Sequence, residues 1–92
     1  MGKRTIVKKI VFTCHALNKI KILSNHKIFV DKNLITKIIT KPDIIESGYK
    51  DRLVVQGRLD DNHVLRIVYE ESDKEIKIIT MYPGRRSRYE KD

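Results

Sequence analysis

Residues 63–89, HVLRIVYEESDKEIKIITMYPGRRSRY, decide the fold of this chain. The stretch contains two runs of alternating apolar side chains, at 63–70 and 75–82, joined by an acidic turn of the kind that closes a β-hairpin. A Pro-Gly pair ends the second run, and arginines with a tyrosine follow at once. The pattern predicts a hairpin that brings a basic, aromatic segment to one end of a sheet.

The residues before this hairpin add further strands to the predicted sheet. Residues 51–59 alternate in the same way, and residues 44–45 open a short strand ahead of them. Residues 5–12 are rich in β-forming side chains. We expect them to form an edge strand, because two consecutive lysines interrupt their alternation.

Two short amphipathic helices lie between the first strand and the rest of the sheet. Thr13 caps the first, over residues 14–24, where apolar side chains recur at helical intervals. Asp31 caps the second, which ends at Pro42. These elements predict an α+β fold with two N-terminal helices packed on one face of a small, mainly antiparallel sheet of four to five strands.

The register of the strands assigns their residues to two faces. Two tight turns place one apolar set against the helices: Leu53, Val55, Leu65, Ile67, Tyr69, Ile76 and Ile78. The opposite face mixes polar and apolar side chains, and we expect it to face solvent. Its members are Gln56, Arg58, Arg66 and Lys77 among Val54, Val64, Val68, Ile79 and Met81. A polyanion can lie on such a surface, because it combines cations with apolar area.

The length of 92 residues predicts a single domain over residues 1–92, with residues 84–92 as a flexible basic tail. The composition is rich in lysine, glutamate and isoleucine, with a single glutamine. Proteins of archaeal or thermophilic type share this bias. An AT-rich genome produces the same composition without any thermal meaning.

The net charge of +8 is unevenly distributed along the chain. Residues 1–46 carry ten Lys and Arg against three Asp and Glu, which gives +7, whereas residues 47–92 carry ten against nine, which gives +1. The isoelectric point near 9.7 favours nucleic acid, RNA or DNA, as the partner. Acidic proteins and anionic membrane surfaces are weaker candidates, and solubility alone also explains such a charge.

The sequence predicts a cytoplasmic protein that is not inserted in a membrane. Cys14 is the single cysteine, so no internal disulfide forms and a reducing compartment is expected. No apolar run approaches the roughly 20 residues of a membrane span. The N-terminal stretch is interrupted by Lys8 and Lys9, and it lacks the continuous apolar segment of a secretory signal.

Three groups of residues are candidates for chemistry, and each has a structural alternative. His15, at the start of the first helix, is a possible general acid or base, or a residue that only closes the helix terminus. Arg58 and Arg66 suit two-point binding of a phosphate, or are simply outward residues of strands. The C-terminal cluster suits phosphate neutralisation and base stacking, or is a solvated terminus. Its members are Tyr82, Arg85, Arg86, Arg88 and Tyr89.

No metal or small-molecule cofactor is predicted. His26 and His63 lack metal-ligand spacing with each other and with Cys14. No phosphate-cradling glycine loop is present in the sequence.

The order of these features resembles a bacterial and archaeal family called domain of unknown function 4258. The resemblance rests on a His-Ala pair that opens the first helix, a Lys-Pro-Asp sequence after the second, and a terminal Arg-Tyr pair. It also rests on the strand sequences IVYEE (67–71) and IKIITMYP (76–83). The match covers residues 12–89. That family is similar to the RelE-like and barnase-EndoU-colicin-RelE (BECR) nucleases, which cut RNA without a metal.

The resemblance implies roles for individual residues. It assigns His15, Arg66 and Tyr89 to catalysis, and it assigns Thr80 and Tyr82 to binding. Lys19 stands where many relatives have arginine, and it keeps the charge while losing the planar two-point grip. The reaction implied is attack of the ribose 2′-hydroxyl on the adjacent phosphate, and the partner implied is an acidic antitoxin protein. A noncatalytic RNA- or DNA-binding module and a protein-interaction domain are the alternatives that the charge pattern leaves open.

Overall fold

The computed structural model describes residues 8–90, and these form an α+β fold, as predicted. Residues 5–7 of the predicted first strand lie outside the described residues. A 3-10 turn, Tyr49–Asp51, joins the second and third strands. The elements in chain order are β1 (Lys9–Phe12), α1 (Cys14–Asn25), α2 (Lys32–Thr40), β2 (Ile44–Ser47), β3 (Leu53–Arg58), β4 (His63–Glu71), β5 (Glu75–Arg85) and α3 (Arg86–Tyr89).

The five strands form one mixed sheet in the order β1-β5-β4-β3-β2. Strands β2 to β5 are antiparallel neighbours, as the predicted hairpins require. Strand β1 lies at the edge, as expected from its lysines, and it runs parallel to β5. The prediction of a mainly antiparallel sheet therefore holds for three of the four strand pairs.

Side chains cap both long helices at the predicted residues. The Thr13 hydroxyl accepts a hydrogen bond from the Ala16 amide at 3.1 Å, and the Asp31 carboxylate accepts one from the Leu34 amide at 2.8 Å. Helix α1 packs against β5 and α2 against β3, so one face of the sheet is covered. Within residues 8–90, no helix has the length and apolar character needed to cross a membrane.

The residues predicted to face the helices form the core. Leu53 is partly buried, and the other six of that set are fully buried. Met81 joins them, although the alternation placed it on the opposite face. This prediction was wrong because a β-bulge interrupts the ladder: Val68 pairs with Thr80 but Tyr69 pairs with Ile78, so Ile79 is an extra residue. The bulge turns both Ile78 and Met81 toward the helices.

The face of the sheet that α1 and α2 leave uncovered is called here the helix-free face. Its residues were predicted to face solvent, and for three of them that prediction was wrong. Val64 is fully buried, Gln56 is 1% exposed and Arg66 is 8% exposed. The physical reason is that the segment from Gly84 to Glu90 continues β5 to Arg85, turns into α3 and packs back over this face. Residues 91–92 of the predicted tail lie outside the described residues.

The packing of α2 on β3 depends on a close approach at Gly57. A methyl group at this position would lie 2.6 Å from Cγ1 of Ile38. Overpacking of this kind costs about 1–3 kcal/mol, so we expect Gly57→Ala to lower the free energy of unfolding in urea by about 2 kcal/mol. In an Ile38→Ala background the same substitution is expected to cost less than about 0.5 kcal/mol. Equal losses in the two backgrounds would contradict this packing.

Candidate nucleic-acid interface

The helix-free face is centred on Arg66, a cation held in the interior of the protein. In the register of the sheet Arg66 lies directly between Gln56 of β3 and Tyr82 of β5. Since side chains alternate between faces, these three residues project to the same side. The strand register thus aligns an arginine, an amide and a phenol across three adjacent strands.

Every nitrogen of the Arg66 guanidinium donates a hydrogen bond. Nε donates to the Tyr82 hydroxyl at 3.0 Å, and Nη1 donates to Oε1 of Gln56 at 2.6 Å. Nη2 donates to the Glu46 carboxylate, which also forms an ion pair with it. Burial lowers the pKa of Arg66, but the hydrogen bonds to Tyr82 and Glu46 raise it by more, so the group stays charged.

Tyr89 of α3 covers the guanidinium from outside the sheet. The Arg66 Cζ atom lies 4.7 Å from the centre of the Tyr89 ring and 5.9 Å from that of Tyr82, within the range of cation–π attraction. The Tyr89 ring also lies on Gly84: a Cβ added there would be 2.3 Å from Cε2 of the ring. Only glycine leaves room for this contact. The five residues Glu46, Gln56, Arg66, Tyr82 and Tyr89 are called the arginine–tyrosine cluster below.

Glu90, which directly follows α3, connects that helix to β3. Its Oε1 atom accepts from Arg86 at 2.7 Å and from Arg58 at 3.2 Å. The hydrogen bond from Arg86 lowers the pKa of Glu90, burial raises it by less, and Arg58 lowers it further, so both ion pairs are charged at neutral pH. The Arg86 side chain also donates to the Asp61 carbonyl at 2.7 Å. These contacts hold α3 beside the arginine–tyrosine cluster.

Two exposed arginines, Arg85 just before α3 and Arg88 within it, lack such partners. Arg85 and Arg88 form no ion pair with any acidic group of residues 8–90, and Arg88 lies 5.8 Å from the centre of the Tyr89 ring. Thr80, another predicted binding residue, pairs with Val68 and shares the helix-free face with Tyr82. The structure therefore places seven of the predicted residues on or beside this face: Arg58, Arg66, Thr80, Tyr82, Arg86, Arg88 and Tyr89. Arg85 pairs with His63, so the alternation of β5 directs it to the opposite face.

His15 and Lys19 lie elsewhere, on helix α1. Strand β1 ends at Phe12 opposite Ile78, and the Thr13 hydroxyl then donates to the Ile78 carbonyl at 2.9 Å. His15 therefore lies in the first turn of α1, next to the end of the β1–β5 pairing. Beyond that point β5 continues without β1 as a neighbour. Among the described contacts, no hydrogen bond or ion pair joins the exposed His15 side chain to the arginine–tyrosine cluster.

Sequence reasoning missed three residues that complete the site. Glu46 was read only as part of a short strand, and Glu90 as part of a tail, because their partners lie 20 and 32 residues away along the chain. Gln56 was placed on the correct face, but its bond to Arg66 was not predicted. The register between β3 and β4 gives the signal, since it sets Gln56 directly opposite Arg66.

This arrangement presents cations and aromatic rings on one surface. Guanidinium groups form charge-assisted bonds with phosphate oxygens, and tyrosine rings stack with nucleobases. Among residues 8–90, no group of three or more His, Cys, Asp and Glu is placed to hold a metal ion. The geometry is suited to binding a single-stranded polyanion with bases.

The contact between Tyr89 and Gly84 can be tested by Gly84→Ala. The added methyl group displaces the ring, and we expect the equilibrium for opening of α3 to rise about fivefold, as for a loss of about 1 kcal/mol. Trypsin cleavage after Arg86 in the native protein measures this opening. In a Tyr89→Ala background, the Gly84→Ala substitution is expected to cause no further increase. An unchanged cleavage rate in the single variant would show that the ring does not rest on Gly84.

Comparison of the chain with models of known protein families, with curated proteins and with solved structures gives no match.

Proposed function

We propose that this protein binds single-stranded RNA through its helix-free face and cleaves it there without a metal, in the manner of the RelE-like nucleases that its sequence resembles. One observation carries the proposal. A buried arginine is fixed beside two tyrosine rings, with Arg58 on the same face of the sheet and Arg88 beside the Tyr89 ring. Burying a charged side chain costs free energy, and an apolar side chain would fill the same space without that cost. A buried charge is therefore a candidate for function.

The arginines around the cluster support binding of a phosphate backbone. Arg88 is exposed and has no acidic partner in the described part of the chain, so its charge is free to act on a ligand. The centre of the Tyr89 ring lies within 5.8 Å of both Arg66 and Arg88, and a tyrosine ring is a surface on which a base can stack. Single strands fit better than duplexes, because their bases are accessible to stacking.

The cleavage step rests on the resemblance and on the position of Tyr89. The ribose 2′-oxygen loses its proton to a base and attacks the adjacent phosphorus, while the bond to the 5′-oxygen breaks and that oxygen takes up a proton. The products are a 2′,3′-cyclic phosphate and a 5′-hydroxyl. In this proposal Arg66 and Arg58 stabilise the charge that builds on the phosphate, and the Tyr89 hydroxyl transfers a proton at the leaving oxygen.

A noncatalytic RNA-binding module is the second candidate, and two observations favour it. The Arg66 guanidinium is 8% exposed and already bonds through all of its nitrogens, and His15 does not join the cluster. An acidic antitoxin would bind the same basic surface in either case. RNA binding without cleavage would select this candidate.

The cleavage proposal predicts the behaviour of Tyr89→Phe. The phenyl ring keeps its contacts with Gly84 and Arg66, so the fold is preserved while the hydroxyl is lost. We expect the rate of RNA cleavage in excess EDTA to fall by about 10²-fold, the lower end of the range for proton transfer by a side chain. RNA affinity is expected to change by less than about twofold. The measurement is single-turnover cleavage of an end-labelled oligoribonucleotide.

Three controls accompany that measurement. Tyr49→Phe removes a hydroxyl from a tyrosine that is 79% exposed and lies outside the cluster, and it is expected to cleave like the parent protein. The all-deoxy oligonucleotide is expected to be stable, because it lacks the attacking 2′-hydroxyl. His15→Ala tests whether the site extends to the start of α1. Cleavage that is absent from the parent protein, or unaffected by Tyr89→Phe, would refute the assigned chemistry.

The binding proposal predicts a specific change in salt dependence. Each phosphate neutralised on a single strand contributes about 0.7 to the slope of log affinity against log salt, so Arg88→Ala should lower that slope by about 0.7. The matched control is Lys37→Ala, which removes the same charge from an exposed position on α2. Fluorescence anisotropy of labelled RNA gives both slopes. Equal decreases in the two variants would show that net charge, and not the helix-free face, binds the RNA.

A further inference from the structure

A buried amide next to Arg66 lacks a hydrogen-bond partner. The Nε2 atom of Gln56 is fully buried and bonds to no acceptor among residues 8–90, although Oε1 on the same amide accepts from Arg66. Buried donors are almost always paired, and leaving one unpaired is costly. The orphan donor marks a place where an acceptor would be stabilised.

The Arg66 guanidinium presents further donors close to this amide. The ring of Tyr89 covers the flat face of the guanidinium. An acceptor can therefore reach the guanidinium only through the N–H groups at its edge. That edge is directed at the Glu46 carboxylate. A carboxylate and a phosphate bind a guanidinium edge in the same two-point geometry. Glu46 therefore stands where a phosphate oxygen would bind.

The position of Glu46 allows it to leave. It lies on β2, the edge strand of the sheet, and its side chain is 51% exposed. Water solvates the carboxylate when it is released, which lowers the cost of breaking the pair on the Glu46 side. The side chain can turn to solvent without any change in the strand, which would open the guanidinium edge and leave the buried amide beside it.

We propose that Arg66 and Gln56 form a binding site for one phosphate group, and that the Glu46 carboxylate occupies it in the free protein as an internal competitor. The site rests on the proposed RNA-binding function, in which the ligand is a phosphate of the bound strand. Glu46 then has two effects. It keeps the buried cation paired when no ligand is present, and it lowers the apparent affinity of the site, so that weakly binding anions do not displace it.

The test is a titration with inorganic phosphate of the 15N-labelled 92-residue chain and of two variants. Glu46→Ala removes the competitor. Glu70→Ala is the matched control, since Glu70 also projects to the helix-free face, pairs with an arginine, Arg52, at 3.2 Å, and has a side chain that is 43% exposed. We expect Glu46→Ala to bind phosphate about fivefold more tightly than the parent, which corresponds to about 1 kcal/mol, and Glu70→Ala to bind like the parent.

The NMR signals that move identify the site. In the Glu46→Ala protein, phosphate is expected to shift the side-chain amide of Gln56 and the Nε–H of Arg66. Gln56→Leu added to Glu46→Ala, which replaces the buried amide with an apolar group of similar size, is expected to abolish the gain in affinity. The proposal is overturned if Glu46→Ala binds no more tightly than Glu70→Ala, or if phosphate leaves the Gln56 and Arg66 side-chain signals unmoved.

A parallel titration with an oligoribonucleotide separates this proposal from the proposed function. RNA that binds the helix-free face while phosphate does not distinguish the two glutamate variants would overturn the competitor site alone. Phosphate that binds as expected, in a protein with no affinity for RNA, would support the site and refute the proposed RNA-binding function.

Discussion

The buried charge of Arg66, on the face of the sheet opposite α1 and α2, is the constraint on which the rest of the structure depends. A buried cation is costly unless it is paired and hydrogen-bonded. This cation therefore requires Gln56 and Tyr82 in register on the two neighbouring strands, and in the free protein Glu46 on β2 neutralises it. It also accounts for the return of the chain after Gly84, since Tyr89 shields the guanidinium from water.

The two faces of the sheet consequently have different roles. The face under α1 and α2 is apolar and holds the fold together, with Tyr69 and Ile35 among its largest fully buried side chains. The helix-free face carries polar groups whose bonds are satisfied largely by one another, and it is closed by one short helix. Ion pairs at Glu90 attach that helix, and such pairs are sensitive to salt and to competing anions. The phosphates of a polyanion would therefore compete with Glu90 for the arginines of this surface.

Local signals in the sequence were sufficient for much of this architecture. The helical intervals of α1 and α2, the caps Thr13 and Asp31 and the alternation of β3 and β4 each depend on neighbouring residues, and all were predicted. The bulge at Ile79 was not, because an extra residue in one strand leaves no mark on the alternation until its partner strand is known. The burial of Arg66 was missed for a similar reason. Whether a strand residue is exposed depends on what covers it, and the cover came from a segment that reads as a basic tail.

The central claim is that RNA binds the helix-free face at the arginine–tyrosine cluster. Hydrogen–deuterium exchange of the protein with and without a saturating single-stranded oligoribonucleotide tests it most directly. The account predicts that added protection is confined to β2, β3, β4, the part of β5 after the bulge and α3, while α1 and α2 exchange as in the free protein. Protection concentrated on α1 and α2, or no change anywhere at saturation, would contradict it.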